Sequence, residues 1–346
     1  MKHVYTSIFT LALLAISSNS FAQGPNGSGT YYAAADGKKG AELKTALCGI
    51  IRPGLEENVV SYTPGLWNAY PTTDARPDDN TKVWDMYSSI SNFTFVTNQD
   101  KGGGGSEGDF YNREHSFPRS WFGGAVAPMN TDLFHVYPTD KVVNGKRSNY
   151  PYGETNGANY DNVKGYTSSG GFSKLGASTL SGYQGAVFEP NDIYKGDFAR
   201  SYFYMVTCYE EQLPSWYDNA EAKPTINGTK YPAFTDWQLE MLMRWSKNDP
   251  VDNPVVKETP RNEAVYGIQK NRNPFIDYPG LEEYIWGEYK DVAFSYDNYN
   301  PTPTIINVIR EDERVHDNVI YNLSGQVVDK SYKGIVIING KKVIQK

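Results

Sequence analysis

Residues 111–154 read YNREHSFPRSWFGGAVAPMNTDLFHVYPTDKVVNGKRSNYPYGE. The stretch gathers Glu114, His115, Asn144 and Arg147 into a short span. It also holds His115 and His135, two of the four histidines; the others are His3 and His316. A neutral His suits the activation of water, because its ordinary pKa lies near working pH. A carboxylate and an amide oxygen suit a hard divalent cation such as Mg²⁺, which takes few side-chain ligands and keeps places for water and phosphate. An Arg three residues beyond Asn144 suits a non-bridging phosphate oxygen. Together these residue types point to metal-assisted cleavage of a phosphodiester.

Glu114 and His115 are neighbours, so on an extended backbone their side chains diverge. The His would then work on the attacking water while the Glu holds metal beside the leaving oxygen. Each residue also has a plainer reading: a surface or capping pair for Glu114-His115, a tight turn for Asn144-Gly145, a solvated charge for Arg147. A zinc site from His115, Asp132 and His135 is a further alternative, although that spacing matches no common zinc motif.

The chain of 346 residues carries a formal net charge of −7, which argues mildly against a large nucleic-acid-binding face. The balance reverses locally: Arg113, Arg119, Lys141, Lys146 and Arg147 outnumber Glu114, Asp132 and Asp140 between positions 111 and 149. Lys2 and His3, an apolar run from Phe9 to Ile16, and Ser20-Phe21-Ala22 have the form of a secretory signal over residues 1–22. The run is too short to span a bilayer. Export would expose Cys48 and Cys208 to oxidation, leaving a disulfide and two buried thiols as equal expectations.

Helices are expected over Gly40–Ile51, ended by Pro53-Gly54, and over Lys195–Leu213 with Asp197 as N-cap or first-turn acid. Others are expected over Asp236–Lys247, Arg261–Lys270 and Pro279–Trp286. Lys82–Ile90 is a short helical candidate. Leu66–Pro77 reads as loop, and Gly102–Gly105 as a mobile loop beside a cleft. From Thr302 onward, short β-branched runs and Asn339-Gly340, a hairpin-turn pair, indicate a small β module after a Pro-containing linker.

The combination in the central stretch resembles the endonuclease I family of secreted or periplasmic nucleases, within the ββα-metal (His-Me finger) superfamily. The matching segments are Arg113–Pro118, Asp132-Leu133 with His135 and Pro138, and Val143–Asn149. Gly196-Asp197 with Ala199-Arg200, and RNEAVYGIQKNRNPFIDYP from Arg261 to Pro279, extend the resemblance over roughly residues 45–290. Phe134 and Tyr278 stand where the family commonly has His. The resemblance implies an α+β fold: a mostly helical body around a ββα-metal core, with a nuclease domain over 23–300 and a small β segment over 301–346. It implies His115 as general base, Glu114 and Asn144 as ligands of one Mg²⁺ (Mn²⁺ or Ca²⁺ as substitutes), and Arg147 with Arg113 as the substrate-binding positions. The implied activity is non-specific endonucleolytic cleavage of DNA, with RNA as a further candidate substrate, giving 5′-phosphates, with no membrane span and no obligate protein partner. The tail from Asn318 resembles C-terminal secretion or surface-attachment segments of exported bacterial proteins. An inactive nuclease scaffold that binds ligands through its 27 tyrosines is the competing reading. The intact Glu114, His115 and Asn144 speak against it, since a binding surface has no need of a base beside metal ligands.

Overall fold

The computed structural model describes residues 23–253, 256–303, 320–322, 327–338 and 341–345. The expected signal over residues 1–22, and the Asn339-Gly340 turn, lie outside them. The chain divides into two compact units, Met1–Pro303 and Thr304–Lys346.

In chain order, the first unit begins with α1 (Gly40–Glu57) and α2 (Gly65–Thr73). Then come β1 (Tyr111–His115), β2 (Val136–Asp140) and α3 (Lys141–Arg147). A second set of strands follows: β3 (Tyr166–Thr167), β4 (Lys174–Ala177) and β5 (Ala186–Glu189). The unit ends with α4 (Lys195–Cys208), α5 (Leu213–Trp216), α6 (Asp236–Asn248), α7 (Glu258–Gln269), α8 (Pro274–Asp277) and α9 (Leu281–Ile285). Its sheets are β1-β2 and β3-β4-β5, both antiparallel. The fold is α+β.

The core is organised around α4. Every residue from Gly196 to Cys208 is buried, so this helix has no solvent face and is wrapped by α1, α6 and α8. Its polar groups are therefore committed inward. Tyr202 Oη donates to Ser116 O at 3.0 Å, and Tyr204 Oη to Asp132 Oδ2 at 2.8 Å. Arg200 Nε donates to Glu258 at 2.8 Å. Asp197 lies in the first turn but caps nothing with its side chain; it is buried instead.

Several local expectations change. α1 runs through Pro53 to Glu57. The proline removes one helical hydrogen bond, but Ile51 and Leu55 are buried on either side of it and hold the helix together. Residues 65–73 form a helix and not a loop, because Leu66, Ala69, Tyr70 and Thr73 present one buried stripe at helical spacing. Lys82–Ile90 is not helical; Val83 bridges to Ala75 and Lys82 to Thr94 in extended segments. The helices expected from Asp236 and Arg261 appear as α6 and α7, and Pro279–Trp286 shortens to α9. The long helix after Lys195 ends at Cys208 and continues as a 3-10 turn and α5. Cys48 and Cys208 are free thiols, with Cys48 Sγ donating to the Cys208 carbonyl at 3.4 Å.

The second unit, described by itself, holds β6 (Ile320–Asn322), β7 (Val327–Val328), β8 (Gly334–Ile338) and β9 (Lys341–Gln345). They form one antiparallel sheet in the order β7-β6-β8-β9.

Candidate active site

β1 and β2 pair in register, with Glu114 opposite Tyr137 and His115 opposite Val136. The last residue of β2, Asp140, is also the N-cap of α3. Its Oδ1 accepts from the amides of Val142 and Val143 at 2.8 and 3.0 Å, and its Oδ2 from Gly108 N at 2.7 Å. A carboxylate at that point neutralises orphan amides of the first turn and starts the helix without a linker. Strand, strand and helix thus form one continuous unit, and α3 packs back against β1.

The alternation of an extended strand sends Glu114 and His115 apart. The His115 ring is buried, with Tyr62, Phe122 and His135 around it at centroid distances of 6.2, 6.3 and 5.6 Å. Its Nε2 lies 3.0 Å from Asn130 O. A carbonyl oxygen only accepts, so Nε2 carries the proton and Nδ1 holds the free lone pair. Burial first, then the repulsion of His135 and Arg119, lower its pKa to about 3. The ring is therefore a neutral acceptor throughout ordinary pH.

Glu114 is 3% exposed. Its Oε1 accepts from Tyr87 Oη at 2.8 Å and Arg147 Nη1 at 2.7 Å. Oε2 accepts no hydrogen bond among the described residues. Burial pushes the carboxyl up, against the pull of Arg147 and Tyr87. Tyr152 Oη lies 2.7 Å from Tyr87 Oη. Since the Tyr87 proton goes to Glu114, Tyr152 is the donor of that pair. Asn144 Nδ2 donates to Arg113 O at 3.3 Å, which leaves its amide oxygen to accept or ligate. Two oxygens, one anionic and one neutral, fit a hard divalent cation better than a soft one.

Of the two expected phosphate contacts, Arg147 is turned into the protein and Arg113 is half-buried. Arg147 is 1% exposed. It donates to Glu114, to His115 O at 2.7 Å and to Ser116 O, with its guanidinium carbon 4.8 Å from the Tyr152 ring centre. It braces the strand that carries Glu114 and His115 and does not face solvent. Arg113 lies between two rings, with its guanidinium carbon 3.7 Å from the Tyr62 centre and 4.3 Å from that of Trp67. It donates to Tyr62 O and Thr63 Oγ1 at 2.9 and 2.8 Å. Both arginines make structural contacts that the sequence spacing did not reveal.

The zinc alternative does not assemble. Asp132 turns to Tyr204 and Tyr209, each donating at 2.8 Å. His135 Nε2 lies 2.6 Å from Met129 O. Among the described residues, no group of three His, Cys, Asp or Glu side chains is placed to hold a metal. Tyr87 and Tyr152, which support Glu114, were not identified from the sequence. Nothing local distinguishes them from the other tyrosines.

The endonuclease I family profile matches residues 39–280. An extracellular ribonuclease of Bacillus amyloliquefaciens is 36% identical over 260 residues, covering 74% of this chain and 78% of the relative. An extracellular ribonuclease of Bacillus subtilis (strain 168) is 34% identical over the same lengths. Endonuclease-1 of Buchnera aphidicola subsp. Baizongia pistaciae is 26% identical over 148 residues, 43% of this chain and 46% of that protein. The chain belongs to the endonuclease I family and is a nuclease, an enzyme that hydrolyses phosphodiester bonds.

Proposed function

We propose that this nuclease is an exported, Mg²⁺-dependent endonuclease that cleaves RNA and DNA with little sequence preference, from a His-Me finger core formed by β1, β2 and α3. The observation that carries the reading is the His115 ring, fixed by Asn130 O with Nδ1 left to accept, on the same strand end as Glu114, whose preceding carbonyl, that of Arg113, holds Asn144. His115 Nδ1 takes the proton of the attacking water. Its low proton affinity in the free protein rises when phosphate enters, since a nearby anion favours the charged imidazolium. Glu114 and Asn144 would hold the cation, with Glu114 oriented by Arg147 and Tyr87. A bound divalent ion supplies neutralisation of the phosphate and of the departing oxygen.

Activation of water, and not of a ribose 2′-hydroxyl, makes the chemistry indifferent to the sugar. Relatives named as extracellular ribonucleases support RNA as one substrate and support export, as does the apolar run from Phe9 to Ile16. The test is digestion of plasmid DNA and of a defined RNA with Mg²⁺ and with EDTA, followed by end-group analysis. Metal-dependent cleavage of both, with 5′-phosphates and no 2′,3′-cyclic phosphate, is expected. Cleavage of RNA alone with cyclic products would overturn the water mechanism.

A further inference from the structure

The cations of the central stretch are largely committed. Arg147 and Arg113 are engaged as described, and Lys141 pairs with Asp100 at 2.8 Å. Lys146 is exposed and lies 5.6 Å from the Tyr166 ring centre. Arg119 differs from all of these. Its side chain is exposed, and it forms no ion pair or hydrogen bond among the described residues.

Its backbone, by contrast, is held firmly. Arg119 opens a 3-10 turn, Arg119–Phe122, in which Trp121 and Phe122 are buried. Trp121 meets Phe117 edge-on at 5.0 Å, and Phe122 packs 6.3 Å from the His115 ring. Ser120, the next residue, accepts from Asn149 Nδ2 at 3.4 Å, and its carbonyl accepts from Asn219 at 2.6 Å. The turn is thus tied to the His115 ring on one side and to the segment after α3 on the other.

We propose that Arg119 binds the substrate phosphate at this site, a role that the burial of Arg147 leaves open. The proposal rests on the nuclease reading of His115, Glu114 and Asn144. An anchored turn with a free guanidinium offers a planar pair of donors to two phosphate oxygens, with little backbone ordering left to be done on binding.

The test compares wild type, Arg119→Ala, Arg119→Lys and Lys290→Ala on a fluorescent single-stranded oligonucleotide with Mg²⁺, at several salt concentrations. Lys290 is an exposed cation on the C-terminal side of α9, outside the site, and controls for the loss of one charge. Arg119→Ala is expected to lower kcat/KM roughly 10- to 100-fold and to flatten the log–log salt slope by about one. Arg119→Lys should recover the slope but only part of the rate, because an ammonium lacks the planar fork. Lys290→Ala should behave as wild type. If Arg119→Ala also lowers the melting temperature, Arg119→Lys decides: a slope matching wild type supports the assignment, and a slope matching Arg119→Ala overturns it. Cleavage by wild type with unchanged rate and slope in both Arg119 variants overturns the Arg119 proposal alone. A wild-type protein that cleaves no nucleic acid overturns the nuclease reading with it.

Discussion

At the residue scale the site depends on how two neighbouring side chains are fixed. Asn130 O sets the His115 tautomer through a bond of 3.0 Å, so the proposed base needs no proton rearrangement before it acts. His115→Ala should lower kcat by about 10²- to 10⁴-fold, the usual worth of a positioned base. Half-saturation by Mg²⁺ should stay near wild type, since the imidazole is no ligand. Single-turnover rates across a Mg²⁺ titration check both. Tyr87→Phe keeps the ring in its packing against Phe188 and Phe198 and removes one donor to Glu114. Outer hydrogen bonds that orient a ligand are typically worth about 10- to 100-fold in metal affinity. The half-saturating Mg²⁺ concentration should therefore rise toward that range, with maximal rate restored at high metal. A fall in rate that excess Mg²⁺ does not repair would refute this role for Tyr87.

At the scale of elements, α1 shows how packing overrides a local stop signal. Pro53 and Gly54 lie inside it, and Gly54 is where the backbone of Lys270 comes against the helix. A Cβ there would overlap the Lys270 carbonyl, whereas one at Gly49 would meet nothing within 4 Å. Gly49→Ala should therefore stabilise the protein by up to about 1 kcal/mol through helix propensity. Gly54→Ala should destabilise it despite the same gain in propensity. Urea unfolding of the two variants side by side reads the difference in sign. The β1-β2-α3 unit is local in a different sense, since Asp140 ends the strand and caps the helix at one residue.

For the whole molecule, burial of carboxyls links stability to pH. Asp85 accepts from Tyr87 N at 2.8 Å and from Ser91 Oγ. Burial raises its pKa from 3.8 to about 7. The folded state therefore holds this proton more tightly than the unfolded chain. The resulting stabilisation is full below about pH 4 and is lost as pH rises through about 7. Asp85→Asn keeps an acceptor and carries no charge. The stability of wild type relative to Asp85→Asn should fall by roughly 4 kcal/mol across that window, measured by urea unfolding at pH 4, 5.5 and 7.5. A constant difference would show that Asp85 stays ionised.

The sequence by itself determined the longer helices and the nearness of the proposed site residues to one another. Glu114, His115 and Asn144 lie within a span of about thirty positions, so their proximity follows from one hairpin and one short helix. The periodicity of α4, α6 and α7 survives because local spacing and burial agree there. Tertiary structure decided the rest, because it decided which groups are desolvated. Arg147 looks like a free cation in the sequence, but burial requires it to find partners within the protein, and half-buried Arg113 lies between the Tyr62 and Trp67 rings. Arg119 remained exposed because the hydrophobic Trp121 and Phe122 anchor its turn and leave its own side chain outside. Tyr87 reaches Glu114 from 27 residues before it, and Tyr152, 38 residues after it, supports Tyr87 in turn. The partners of a buried carboxylate come from wherever the packed chain brings a donor, and no local pattern encodes that.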